Sequence, residues 1–150
     1  RRHRGCGRDR ASGPRPPLIV LDASVLAAIV GDDGSDGRAA RAALAAAGEA
    51  SVPDLADVET LSVLRRLYLS GDISASRFRH AVADLAALPL TRYPALPFLT
   101  RASKLVHNLT AYDAMYVTLA EALDLVLVTG DARLARAPRL PCKVQVLSTS

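Results

Sequence analysis

Four acidic residues stand in this chain where the ends of strands and helices would gather them. Asp22 follows the unbroken apolar run Leu18-Ile19-Val20-Leu21, and Asp131 closes Leu-Val-Leu-Val-Thr-Gly at 125–130. Such runs read as strands buried on both faces, as in a parallel sheet. Parallel sheets hold their ligands beyond the C-terminal ends of the strands. A hydroxyl accompanies each Asp, Ser24 beside the first and Thr129 beside the second. Glu59 lies in the first half of a helical segment, between Leu55 and Val63, and Asp113 opens the largely apolar stretch 111–120. Each also has a structural alternative. Asp22 and Asp131 suit helix N-caps, Asp113 three residues after Thr110 resembles a capping box, and Glu59 suits a solvated helix face.

Carboxylates gathered together repel one another and raise each other's pKa. Hard divalent cations relieve that repulsion, and Mg²⁺ or Mn²⁺ prefer oxygen ligands. One or two such ions activate water and stabilise the charge of a phosphodiester displacement. Hydrolysis of this kind needs no nucleophilic Ser or Cys. His3, His80 and His107 show no ligand spacing.

The elements that would position these groups alternate along the chain. After the strand at 18–21, a short helix is predicted over 23–30, then an acidic Gly-rich loop over 31–37 and a helix over 38–47 ended by Gly48. A strand at 50–52 leads to Pro53, read as the opening of a long helix to about Ser70, with Val58, Leu61, Leu64 and Tyr68 at helical spacing. Ser74 caps a helix to about Leu88. A weak strand at 90–93, a helix from about Leu96 to Val106, a helix from Thr110 to about Leu123, the strand at 125–128, a helical turn through Arg136 and a strand at 144–147 complete the pattern. Strands alternating with helices imply an α/β fold with a mainly parallel central sheet.

These segments resemble the PIN-domain family and, within it, the VapC-type toxins of bacterial toxin–antitoxin pairs. The matching stretches are Val-Leu-Asp-Ala-Ser at 20–24, Val-Pro-Asp-Leu-Ala-Asp-Val-Glu-Thr-Leu-Ser-Val-Leu-Arg-Arg at 52–66, Asn-Leu-Thr-Ala-Tyr-Asp-Ala-Met-Tyr-Val-Thr-Leu-Ala-Glu at 108–121 and Leu-Val-Thr-Gly-Asp-Ala-Arg-Leu at 127–134. They fall in family order and span about 18–148. The resemblance implies a three-layer α/β/α sandwich and a metal-dependent ribonuclease. Asp22, Glu59, Asp113 and Asp131 would match the catalytic quartet that binds Mg²⁺ or Mn²⁺, with Ser24 and Thr129 lining the site. It also implies RNA such as tRNA or rRNA as substrate, a cognate antitoxin as partner, and a homodimer. Related toxins often carry an Arg just before the Asn-Leu-Thr-Ala-Tyr-Asp stretch. Here Leu105, Val106 and His107 stand there, with Lys104 behind them. Positive charge for RNA would come from Arg65, Arg66, Arg101, Lys104, Arg133 and Arg136.

Composition sets the remaining bounds. The chain has 150 residues, half of them hydrophobic, which suits one domain built on Ala, Val, Leu and Ile. Its net charge of +4 is concentrated at one end: residues 1–17 hold six Arg and one Asp, and the rest is close to neutral. That Arg-, Gly- and Pro-rich segment is expected to be a disordered tail ahead of a domain over 18–150. Two Cys, Cys6 and Cys142, give no disulfide framework and point to a reducing cytoplasm. No apolar run is long enough for a membrane span. Two rival functions keep an α/β fold. One is a non-catalytic PIN-like module that binds RNA or an antitoxin. The other is a receiver-type phosphoacceptor, disfavoured because Leu21, not a second acid, precedes Asp22.

Overall fold

The computed structural model describes residues 14–147. Its five strands are β1 (Leu18–Leu21), β2 (Glu49–Pro53), β3 (Leu90–Tyr93), β4 (Val126–Thr129) and β5 (Val144–Val146). They form one sheet in the order β3-β2-β1-β4-β5, and every pairing is parallel. β1 is therefore central, which explains why Ile19, Val20 and Leu21 are all buried.

Seven α-helices connect the strands: α1 (Ala23–Gly31), α2 (Ser35–Ala46), α3 (Leu55–Leu69), α4 (Ala75–Ala87), α5 (Leu99–Ser103), α6 (Ala111–Leu123) and α7 (Ala132–Ala135). The chain moves outward from β1 through β2 to β3, then crosses back to β4 and β5. With right-handed crossovers, that reversal puts the two helix groups on opposite faces. The packing agrees: α1 contacts α2, α3 and α4, whereas α6 contacts α5 and lies on β1, β2 and β4. Seven consecutive residues of α6, Ala114 to Ala120, are buried, as the scarcity of polar residues in that segment requires.

Several expectations need correction. Pro53 is the last residue of β2, not the first of a helix; the next ladder bond comes from the Asp54 N–H to the Tyr93 carbonyl (2.8 Å). α2 begins at Ser35, inside the expected loop, and the helix expected over 96–106 is a 3-10 turn at Leu96–Phe98 followed by the short α5. Of the four apolar residues spaced along α3, only Leu64 is fully buried; Val58, Leu61 and Tyr68 are exposed. Tyr68 instead stacks on Phe78 of α4 with ring centroids 5.2 Å apart. The expected tail falls largely outside the described residues. Within 14–17, the Pro17 carbonyl accepts a hydrogen bond from the Gly48 N–H (2.8 Å).

Packing of α2 on α1 depends on one glycine. A Cβ added to Gly37 would lie 1.8 Å from the Asp32 carbonyl oxygen and 2.9 Å from that of Ala28. Both are backbone atoms. Arg41, one turn further along α2, donates to the carbonyls of Ile29 (2.9 Å) and Asp32 (2.8 Å), so it satisfies acceptors left open at the end of α1.

Candidate acidic active site

Helices in parallel α/β units run antiparallel to the strands they connect, so α1, α3 and α7 start at the C-terminal edge of the sheet. α6, which precedes β4, starts there too. Strand order reverses between β1 and β4, which makes that edge a switch-point crevice. Asp22 follows β1, Asp131 follows β4 one residue on, Glu59 lies at the fifth position of α3, and Asp113 lies at the third of α6.

Asp22 is the most constrained of the four. It is buried and caps α1, accepting the Val25 N–H on Oδ1 (3.1 Å). The Ser24 hydroxyl donates to the same oxygen (2.5 Å), and the buried Thr129 hydroxyl donates to Oδ2. Ser24 in turn accepts from the Gly130 N–H (2.9 Å), and Thr129 accepts from the Asp131 N–H (2.9 Å). The two hydroxyls thus tie the ends of β1 and β4 together through one carboxylate. Gly130 allows the close approach, since a Cβ there would lie 3.1 Å from the Ser24 oxygen.

Asp22, Glu59 and Asp113 form one electrostatic group. Burial pushes the Asp22 carboxyl above its ordinary value, and the Asp113 charge adds to the rise against the lowering effect of its hydrogen bonds. Burial likewise raises Glu59, helped by the charges of Asp22 and Asp113 and opposed by a hydrogen bond from Tyr116. Among the described residues, no Lys or Arg forms an ion pair with any of these three. The Asp113 backbone N–H is capped by the Thr110 hydroxyl (3.1 Å), but its carboxylate accepts no hydrogen bond among the described residues. The capping box is therefore only half made, and the carboxylate is left available.

Asp131 stands apart from that group. Its carboxylate caps α7 through the Arg133 N–H (2.8 Å) and pairs with the Arg133 guanidinium (3.3 Å). These bonds hold its pKa below the usual carboxylate range. Two other acids near Glu59 are engaged elsewhere: Asp57 pairs with Arg92 (2.7 Å), and Asp54 accepts from the Ala95 N–H (3.1 Å). Of the basic residues read as a rim, Arg101 is committed to Glu121 (2.7 Å) and Arg133 to Asp131, while Arg65, Arg66, Lys104 and Arg136 are exposed.

Tyr116 was not singled out by the sequence. It is 1% exposed, and its hydroxyl donates to Glu59 Oε2 (2.9 Å). Its position three residues after Asp113, on the same helix face, was the available signal.

The donor set fits a hard divalent cation that keeps much of its water. Asp22 Oδ2 receives a single hydrogen bond and Glu59 Oε1 receives none among the described residues, so each retains acceptor capacity. Among the described residues, no three His, Cys, Asp or Glu side chains converge closely enough to enclose an ion. Mg²⁺ does not require a cage, since it is commonly held by one or two carboxylates and several waters.

The raised pKa values carry a stability consequence. Relative to the unfolded chain, the folded state binds protons more tightly at Asp22 and Glu59. Their unfavourable contribution therefore grows as pH rises from the ordinary carboxylate value, about 4, through the raised folded values. In a chelator, the Tm of Asp22→Asn relative to the parent chain is expected to shift in the variant's favour between about pH 4 and about pH 7. Asp131, with the opposite sign, is common to both proteins and cancels. Thermal melts across that range check this, and a difference that is flat or shifts the other way contradicts the assigned burial.

A parallel five-stranded sheet with acids at its switch point is the arrangement of a PIN domain, and a profile of that domain matches residues 19–140; the chain belongs to the PIN-domain family. Its relatives include VapC ribonucleases. Ribonuclease VapC9 of Mycobacterium tuberculosis is 41% identical over 130 residues, covering 87% of this chain and 98% of that protein. Ribonuclease VapC1 of the same organism is 48% identical over 96 residues, covering 63% and 72%. Among solved structures, the M. tuberculosis toxin VapC20, which cleaves the sarcin-ricin loop, superposes with a TM-score of 0.63 at 13% identity. That match covers 79% of this chain and 93% of VapC20, and at such identity it concerns the fold.

Proposed function

We propose that this protein is a Mg²⁺-dependent endoribonuclease, with Mn²⁺ able to substitute, and that it serves as the toxin of a toxin–antitoxin pair. The observation that carries the reading is the group Asp22, Glu59 and Asp113. These are three mutually repelling carboxylates, one of them buried, at a switch-point crevice, and among the described residues none of them is in an ion pair. A folded protein keeps such a group at the expense of stability, and the expense has a rationale if a cation binds there. The names of the VapC relatives supply the substrate class.

Asp22, Glu59 and Asp113 would hold the ion together, one or two of them directly and the rest through its waters. Asp131 would complete the quartet once its carboxylate leaves Arg133. A bound divalent ion supplies Lewis-acid stabilisation of charge on the phosphoryl oxygens and activates water. The protein's part is placement. Ser24 and Thr129 fix Asp22 between the ends of β1 and β4, and Arg133, released from Asp131, would face the RNA backbone with exposed Arg136. Two protein partners belong to the same reading, a cognate antitoxin and a second copy of this chain. Exposed Val58, Leu61 and Tyr68 along α3 leave apolar surface for protein contacts. Among the described residues, no helix is long and apolar enough to cross a membrane.

Incubation of the purified chain with total tRNA and rRNA tests the proposal. Defined fragments are expected with Mg²⁺ or Mn²⁺, none with EDTA, and recovery when the metal is restored. Cleavage insensitive to EDTA overturns the metal reading. Tight RNA or antitoxin binding with no cleavage under any ion favours the non-catalytic module.

A further inference from the structure

We propose that Tyr116 is a positioning residue for the acidic site, fixing the Glu59 carboxylate of α3 against the helix that carries Asp113; the inference rests on the metal-dependent reading above. The phenol is almost wholly buried, and its hydroxyl donates to Glu59 Oε2 at 2.9 Å. Among the described residues this is the one side-chain hydrogen bond between α3 and α6. Buried residues surround it in α6, from Ala114 to Ala120, so the ring has little freedom to move. Glu59 is different. It is half-buried, on a long side chain with several rotamers, and Tyr116 is the one group seen to hold it.

The bond is also selective between the two carboxylate oxygens. Oε2 is occupied by the phenol, and Oε1 is left unbonded among the described residues. A carboxylate held this way presents one oxygen in a set direction. Asp113 and Tyr116 lie three residues apart on one helix, so the phenol ties the position of Glu59 to that of Asp113.

Tyr116→Phe removes the hydroxyl and keeps the ring. Mn²⁺ binding to the purified protein, followed by the electron paramagnetic resonance of free Mn²⁺, is expected to weaken about tenfold or more, as when a group supporting a metal ligand is lost. In a Glu59→Ala background the same substitution is expected to have no further effect, because no side-chain oxygen remains at 59 for the phenol to hold. A loss of equal size in both backgrounds would mean a general packing role and overturn the proposal. So would an unchanged affinity in Tyr116→Phe when the parent chain binds Mn²⁺ at a site that Asp22→Asn abolishes. If the parent chain has no such site, the metal reading itself falls and takes this inference with it. A measurement that leaves the chain unmutated at 116 guards against a variant that does not fold. The ¹⁹F resonance of 3-fluorotyrosine at 116, assigned by Phe replacement of the other three tyrosines, is expected to move on Mg²⁺ saturation and to stay fixed in Glu59→Ala. A resonance that ignores bound Mg²⁺ overturns the proposal.

Discussion

Asp22→Asn is expected to reduce RNA cleavage by about three orders of magnitude or more while leaving the chain folded. The estimate follows from losing a ligand whose ion stabilises transition-state charge by several kcal/mol, at about 1.4 kcal/mol per tenfold in rate. Asn is nearly isosteric and caps helices as well as Asp. Its Oδ1 can still accept from Ser24 and Val25, the two donors to that oxygen in the native site. Core volume is untouched; the new amide N–H₂ in place of Oδ2 obliges the buried Thr129 hydroxyl to turn from donor to acceptor, a local cost of about 1 kcal/mol that leaves the fold intact. A second readout separates loss of the ion from loss of the fold. Saturating Mg²⁺ or Mn²⁺ at about 100 times its Kd adds about 2.7 kcal/mol of stability, worth roughly 5–10 °C in Tm for a chain of this size. The parent chain should show that protection and the variant should not. Cleavage within tenfold of the parent, or unchanged metal protection in the variant, would remove Asp22 from the site.

The largest expected effect on stability is at Gly37, far from the acids in role. Gly37→Ala should destabilise the fold by about 3 kcal/mol or more and lower Tm by roughly 6–12 °C. The reason is that its Cβ would enter the backbone carbonyls of Asp32 and Ala28, and backbone cannot swing aside as a side-chain tip can. Relief requires α2 to lift from the end of α1, which would also pull Arg41 from the carbonyls it caps. Gly34→Ala is the control. There the new Cβ would meet only the Asp32 carboxylate, 3.0 Å away at its nearest oxygen. Its cost should be about 1 kcal/mol, mainly from a poorer N-cap. Equal melting temperatures for the two variants would show that the α1–α2 contact is looser than the geometry states.

Legibility in the sequence followed the physics of each element. β1 and β4 were readable because a strand covered on both faces must be apolar throughout, and no surface element has that reason. The acids closing them were readable for the same reason, as charges at the end of an apolar run. Pro53 misled because proline suits a helix start, whereas here the missing N–H falls at the last strand position and Asp54 supplies the next bond. The spacing of Val58, Leu61 and Leu64 correctly marked a helix but not which side of it is covered in the single chain. Asp54 and Asp57 read as first-turn acids that suit the helix dipole, which sets Glu59 apart, but their partners Ala95 and Arg92 lie some 35–41 residues away along the chain and leave no local sign. The Tyr116–Glu59 bond spans 57 residues and has no local signature at all. The Asp131–Arg133 pair is a matter of side-chain rotamer, which the order of residues does not encode.

The direction of the central strand has a practical corollary for handling the protein. Because β1 starts at the rim opposite Asp22, residues 14–17 enter the sheet on the side remote from the crevice. β5 points the other way: its exit at Leu147, whose N–H bonds the Thr129 carbonyl at 2.8 Å, opens onto the rim that bears the acids. A surface that grips the fold on the β1 side would therefore leave the crevice open, whereas one that grips it on the β5 side would crowd the acids.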